Sequence, residues 1–206
     1  MNSLLKLKKV SKRQTPGRHP SYTDAHVLVA LELVSELSLG RASLGRRLGL
    51  GEGTTRTMIK HLREERLITV DRRGIHLAEP GLRLLERLRE AMTAGLAVPE
   101  TPHTVGAHNY AVVVKGAFEL IGLGVEQRDA ALLSGARGAT TLLYDGVSLQ
   151  MPGMDLDPEL SLLRFLMEHM DLEAGDVVII GTADAPTDAE IGAKTAALEL
   201  LRQKRG

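Results

Sequence analysis

The sequence predicts an α+β chain of two domains: an N-terminal winged helix-turn-helix followed by a small mixed α/β domain. Three observations predict it. Residues 1–95 carry 18 Lys and Arg against 10 Asp and Glu, a net +8, and residues 96–206 carry 8 against 16, a net −8. A formally neutral chain thus divides into a basic and an acidic half, which implies different partners for each. The basic half reads helix, helix, turn, helix, hairpin, and the acidic half alternates strand and helix patterns. The expected boundaries are 1–20 for a basic N-terminal arm, 21–95 for the winged helix-turn-helix with a connecting helix, 96–102 for a linker, and 103–206 for an α/β domain that binds an effector or forms an oligomer.

Residues 1–20 hold Lys6, Lys8, Lys9, Lys12, Arg13 and Arg18, with Pro16 and Pro20. Such a segment is expected either as a solvated tail or as an arm that orders on phosphates. Ser21-Tyr22-Thr23-Asp24 is a helix-start signal, and Val27, Leu28, Ala30, Leu31, Val34 and Leu37 follow at helical spacing up to Gly40. Leu44 and Leu48 mark a short second helix, and Gly49-Leu50-Gly51-Glu52-Gly53 a tight turn. A third helix is expected from about Glu52 to Glu65, burying Thr55, Met58 or Ile59, and Leu62. Ile68-Thr69-Val70 and Ile75-His76-Leu77 alternate around Asp71-Arg72-Arg73-Gly74 and read as a β-hairpin.

The stretch Leu44 to Leu77 resembles bacterial and archaeal winged-helix regulators. The matching pieces are Leu44-(x3)-Leu48-Gly49-Leu50, Gly53-Thr54-Thr55-Arg56 and Leu62-Arg63-Glu64-Glu65-Arg66-Leu67-Ile68, with Leu77-Ala78-Glu79-Pro80-Gly81 closing the hairpin. In that fold the third helix enters the major groove and the hairpin wing touches the backbone. With Thr55, Ile59 and Leu62 inward, Thr54, Arg56, Thr57 and Lys60 face outward. Arg56 is the best candidate for a base contact, because a guanidinium bridges the two acceptors of a guanine edge. Arg72 and Arg73 at the wing tip suit phosphates, and Arg41 and Ser43 suit the backbone beside the second helix. The expected partner is double-stranded DNA. His61 and His76 are expected as packing or surface residues, since neither has a second ligand at metal spacing.

Pro80 and Gly81 open a connecting helix with Leu82, Leu84, Leu85, Leu88 and Met92 as an apolar stripe. The stripe either packs on its own domain or pairs with a second copy. A homodimer is expected, because two-fold symmetry doubles the phosphate contacts.

In the acidic half, Asn109 to Lys115, Ala139 to Tyr144, Val147 to Met151 and Asp176 to Gly181 read as strands. Asp145-Gly146 is the hairpin turn between the second and third. Helices are expected within Ala117–Leu123, over Val125–Ser134, from Asp157-Pro158 onward, and from a capping box at Thr187-Asp188-Ala189-Glu190 to about Gln203. The segment Gly135-Ala136-Arg137-Gly138-Ala139-Thr140 is the candidate effector loop. Gly135, Arg137, Gly138 and Thr140 would cradle an anion, or the loop is a tight turn that needs small residues. Gly124 to Ala131, Gly135 to Thr140 and Asp145-Gly146-(x4)-Met151-Pro152-Gly153 resemble the C-terminal domain of archaeal winged-helix transcriptional regulators whose α/β domain has no known function. That resemblance implies a regulator and transfers no catalytic residues.

Composition narrows the chemistry. The chain has no Cys and only five aromatic residues, which excludes thiol nucleophiles, cysteine-ligated metals and a base-stacking platform. No apolar run is long enough to span a membrane, and the N-terminus lacks a signal-peptide pattern, so a cytoplasmic protein is expected. No phosphate-loop, GxSxG or HExxH motif occurs. Gly122-Leu123-Gly124 holds two glycines of a dinucleotide fingerprint, but Gln127 occupies the third position. Asp155 and Asp157, and the dispersed His103, His108 and His169, define no site. No cofactor, metal or enzymatic activity is expected. The reading is a DNA-binding transcriptional regulator whose C-terminal domain dimerises or senses an unknown small molecule. Its alternatives are an enzyme fused to a repressor domain and a winged-helix adaptor for proteins.

Overall fold

The computed structural model describes residues 3–12, 21–100, 104–154 and 160–204. The chain separates into two compact units, Met1–Arg89 and Glu90–Gly206. Among the described residues no helix is long and apolar enough to cross a membrane.

The first unit begins with α1 (Ser3–Ser11), then α2 (Asp24–Glu36), α3 (Arg41–Arg47) and α4 (Glu52–Glu64). The strands β1 (Ile68–Asp71) and β2 (Gly74–Leu77) form an antiparallel hairpin, and α5 (Glu79–Arg89) closes the unit. α2 is apolar on most of its surface and is the central helix, with Val27, Leu28, Ala30 and Leu31 all buried. It starts where expected: the Thr23 amide donates to His26 Nδ1 at 3.1 Å, which satisfies one free donor of the first turn.

The N-terminal segment departs from the expected arm. Residues 3–11 are helical, and Leu4, Leu7 and Val10 are buried where α1 packs on α2, α4 and α5. Their spacing of three places all three on one helix face. Lys6 and Lys9 flank that face and both reach Glu65, at 2.8 Å and 2.9 Å. Arg13, Pro16, Arg18 and Pro20 lie outside the described residues.

The second unit contains a five-stranded sheet in the order β3-β4-β7-β5-β6 with every pairing antiparallel. Its strands are β3 (Leu96–Val98), β4 (His108–Val114), β5 (Gly138–Tyr144), β6 (Leu149–Gln150) and β7 (Val177–Ala183). β7 is buried along its full length, as its run of Val and Ile requires of a central strand. α7 (Leu160–His169) covers one face through Leu162 and Leu166, together with Leu142, Val178 and Ile180. α6 (Val125–Leu133) and α8 (Pro186–Gln203) cover the other, where Ala131, Ala136, Ala183 and Ala189 allow close approach.

Four further expectations change. Leu96–Val98 is not linker but an edge strand, with Leu96 opposite Ala111 and Val98 opposite Asn109. Ala117–Leu123 holds only a 3-10 turn at Phe118–Leu120. The hairpin loop is four residues long, because Tyr144 pairs with Leu149. Asp145 shapes it by accepting from the amides of Val147 and Ser148 at 2.8 and 2.7 Å. The last helix starts at Pro186 with Ala185 as its N-cap, so Thr187 lies inside it. Asp155, Asp157, Pro158 and His103 lie outside the described residues.

Candidate nucleic-acid interface

The interface is built from α3, α4 and the hairpin. α3 meets α4 at Gly45, where a β-carbon would stand 2.6 Å from Thr55 Oγ1 and 3.2 Å from the Leu50 carbonyl oxygen. Any larger residue would push the helices apart. Thr55 is buried and donates its hydroxyl to the Gly51 carbonyl at 3.0 Å, which ties α4 to the turn before it. Gly49 makes that turn at φ +64°, a conformation that favours glycine. Met58, Ile59 and Leu62 anchor the inner face of α4, so its outer face is set by the helical period.

The hairpin is held just as firmly. The Ile75 amide donates to the Leu39 carbonyl at 3.0 Å, so the chain after α2 adds a bridge to β2. At the tip, Asp71 accepts from the amides of Arg73 and Gly74 at 2.7 and 3.2 Å and lies 3.1 Å from His76 Nε2. The Arg73 amide, then His76, hold the Asp71 carboxyl below its ordinary range. The tip therefore keeps its shape with Arg72 and Arg73 exposed.

A cleft of about 460 Å³ runs between α4 and the hairpin. Arg41, Arg56, Lys60 and Arg63 line it from the helical side, and Arg72 and Arg73 from the hairpin. Arg56 and Lys60 are about two-thirds exposed, at 65% and 68%. Arg63, Arg72 and Arg73 are exposed and have no ion-pair partner among the described residues, and Asp71 is the carboxylate that lines the cleft with them. Five of the eight residues expected at the interface are thus brought together: Arg41, Arg56, Lys60, Arg72 and Arg73. Thr57 spends its hydroxyl on the Gly53 carbonyl at 3.0 Å, and Ser43 accepts from Arg46 at 3.2 Å. Thr54 is half-buried on the first turn of α4 and does not line the cleft.

Two participants went unread in the sequence. Arg63 follows Lys60 by three residues and Arg56 by seven, the spacing of one helix face. Glu52 accepts from Arg56 at 2.8 Å and from Arg41 at 3.2 Å. Its i,i+4 spacing to Arg56 was the available signal.

Residues 26–92 match the family described as CggR N-terminal DNA binding domain. Residues 105–200 match a Domain of unknown function (DUF4443). No curated protein matches the chain. Among solved structures, the chain is similar to a hypothetical protein from Pyrococcus horikoshii OT3, with a TM-score of 0.74 and 28% sequence identity over 90% of this chain and 96% of that one. The first match covers most of the unit that carries the cationic cleft and runs three residues past Arg89, and the second lies within the unit that carries the five-stranded sheet.

The candidate effector loop is a turn. The amides of Ser134, Gly135 and Ala136 donate to carbonyls of α6, and that of Arg137 donates to Thr182 at 2.8 Å. With these amides engaged, the stretch from Ser134 to Arg137 offers no cradle for an anion. Arg137 pairs with Asp184 at 2.8 Å, and Gly138 begins β5 opposite Thr182. Gly135 and Gly138 sit at φ +101° and +151°, which explains the glycines by geometry alone. Of the four residues, Thr140 lines a cleft that Ala139 and Thr141 also border.

His61 is a packing residue. Its Nδ1 lies 2.6 Å from the Tyr22 hydroxyl, which donates to the Val10 carbonyl at 3.1 Å. The pair links α1 to α4 beneath the interface.

Proposed function

We propose that the chain is a DNA-binding transcriptional regulator. In this reading the first unit is a winged helix-turn-helix that lays α4 in the major groove of double-stranded DNA and sets the β1–β2 hairpin on the backbone beside it. The observation that carries it is the cleft itself: six cations from α3, α4 and the hairpin tip converge on one face against the single carboxylate of Asp71, and Arg63, Arg72 and Arg73 make no ion pair among the described residues. The match of residues 26–92 to a DNA-binding family supports the same reading independently. Arg56 contacts a base, Lys60 and Arg63 follow the groove wall, and Arg72 and Arg73 neutralise phosphates.

The second unit serves dimerisation or small-molecule sensing and carries no catalysis. Leu84, Leu85 and Leu88 are buried within the first unit, which assigns most of the α5 stripe to internal packing and leaves Leu82, 42% exposed, for any partner. A homodimer acting in the cytoplasm fits a regulator of this size. The likeness to the Pyrococcus horikoshii protein spans both units and supports the resemblance to two-domain archaeal regulators.

The test is selection of genomic fragments by the purified chain, followed by titration of the enriched duplex with Arg56→Ala and Lys60→Ala. One sequence should be enriched, and Arg56→Ala should cost about 1–3 kcal/mol on it and relax its specificity. No enrichment, together with unchanged binding by both variants, would refute the reading.

A further inference from the structure

The second unit contains a cleft that the regulator reading leaves without an occupant. β6 covers β5 only at Leu143 and Tyr144. Tyr144 donates its amide to Asp176 on the β7 side at 3.0 Å. Main-chain groups alternate along an antiparallel strand, so those of Leu142 and Thr140 also point to β7, and those of Thr141 and Ala139 point to the uncovered edge. A cleft of about 390 Å³ lies along that edge, a size suited to a small ligand.

Its chemistry is two-sided. Val105, Leu123 and Met154 stand 69%, 69% and 53% exposed around it, and Met151 and Pro152 complete an apolar wall. Large apolar side chains gathered in water around one cleft mark a binding surface. Beside that wall the cleft is rich in donors. α6 starts there with Gly124 as an N-cap at φ +73°, which has no side chain to accept from the amides of the first turn. Arg128, one turn along α6, lines the same cleft. Its pair with Asp129, at 3.1 Å, is exposed on both sides and exchanges readily.

An independent observation points to a ligand. Thr141 lines the cleft and is 5% exposed, and its Oγ1 has no hydrogen-bond partner among the described residues. That hydroxyl faces the start of α6: a β-carbon on Gly124 would stand 3.2 Å from it. A buried hydroxyl left without a partner costs stability unless something arrives to satisfy it.

We propose that this cleft binds a small monocarboxylate with an apolar body. The carboxylate sits at the N-terminus of α6 and takes bonds from its free amides, from Arg128 and from Thr141. The apolar body lies along Leu123, Met151 and Met154. A neutral apolar molecule would leave the donors unused, and a hydrophilic anion would leave the wall in water. The inference deepens the proposed sensing role and rests on that reading for its purpose, but the binding is measured without DNA.

The experiment is calorimetric titration of the full chain with straight-chain carboxylates from propanoate to decanoate, with hexan-1-ol and inorganic phosphate as controls. Saturable binding should appear within the carboxylate series and strengthen with chain length before levelling off. Hexan-1-ol and phosphate should bind at least roughly tenfold more weakly, the worth of one lost polar or apolar anchor. Thr141→Val keeps the side-chain shape and removes only the orphan hydroxyl, so it folds. It and Arg128→Gln should each weaken carboxylate binding by roughly tenfold. No saturable binding by any member, or equal binding by Thr141→Val and the unmodified chain, would overturn the proposal. DNA binding without carboxylate binding would overturn this proposal alone. Carboxylate binding without DNA binding would support it and overturn only the regulator reading.

Discussion

Arg56 donates to Glu52 at 2.8 Å, one helical turn away, and the same carboxylate oxygen holds Arg41 at 3.2 Å. The guanidinium best placed for a base is therefore tied to an acid while DNA is absent. Both partners are about two-thirds exposed, so the pair contributes little to stability and opens at little cost. Glu52 also places a negative charge where phosphates would approach. Glu52→Gln should strengthen binding to a random duplex by about two- to fivefold, the worth of one exposed ion pair. Fluorescence anisotropy checks it. Weaker binding by the variant would mean that Glu52 itself contacts DNA.

Gly45 and Thr55 set the spacing between α3 and α4. Gly45→Ala would place a carbon 2.6 Å from Thr55 Oγ1, and both residues are buried. The variant should lose about 1–3 kcal/mol of stability, the usual cost of overpacking. Thr55→Ala in the same chain should recover part of that loss, and a urea-denaturation double-mutant cycle reads the coupling. Additive effects would show that the helices do not touch at this point.

The packing of α1 makes a sharper claim than a tail would. Leu7 is wholly buried, so Leu7→Ala should cost about 2–5 kcal/mol in chemical denaturation. A solvated tail would give no change. The ion pairs on the same helix add a pH signature. Burial opposes the charged form of Glu65, but hydrogen bonds and attraction from Lys6 and Lys9 outweigh it and hold the carboxyl below its ordinary value. A depressed folded-state pKa contributes stability above the ordinary glutamate range and loses it as pH falls through the folded value. The melting temperature should therefore fall as pH drops below about 4.5. Part of that fall should vanish when Lys6 and Lys9 are both changed to Met, which keeps the apolar stems. An identical pH profile would separate Glu65 from the two lysines.

Much of this architecture was legible from local pattern. The glycines at 49, 51 and 53 and the periodicity of Thr55, Met58 and Leu62 mark α4 within a residue of its observed end. The alternation around Asp71–Gly74 marks the hairpin. What escaped depends on partners distant in sequence. Leu4, Leu7 and Val10 form a stripe too short to be stable alone, and its lysines suggest solvation. Only the surface offered by α2, α4 and α5 makes a helix of it. Leu96–Val98 is three residues beside prolines, and its pairing with Ala111 lies far along the chain. The glycines around Arg137 signalled a special backbone correctly, but a tight turn and an anion cradle call for the same residues. The hydrogen bond from Arg137 to Thr182 is what separates them. At the interface, residue type picked out the cations, whereas the side-chain bonds of Ser43 and Thr57 needed coordinates.

The central claim is that the cationic cleft between α4 and the hairpin is a footprint for DNA. Equilibrium binding of the full chain to a fluorescent duplex, titrated across salt, tests it most directly. Each neutralised phosphate adds about −0.9 to the slope of log K against log salt, so Arg72→Ala with Arg73→Ala should make the slope shallower by about 2. Arg56→Ala with Lys60→Ala should lower affinity further. A steep slope that flattens in the hairpin variant is the predicted result. No binding at low salt, or a slope indifferent to all four substitutions, would contradict it.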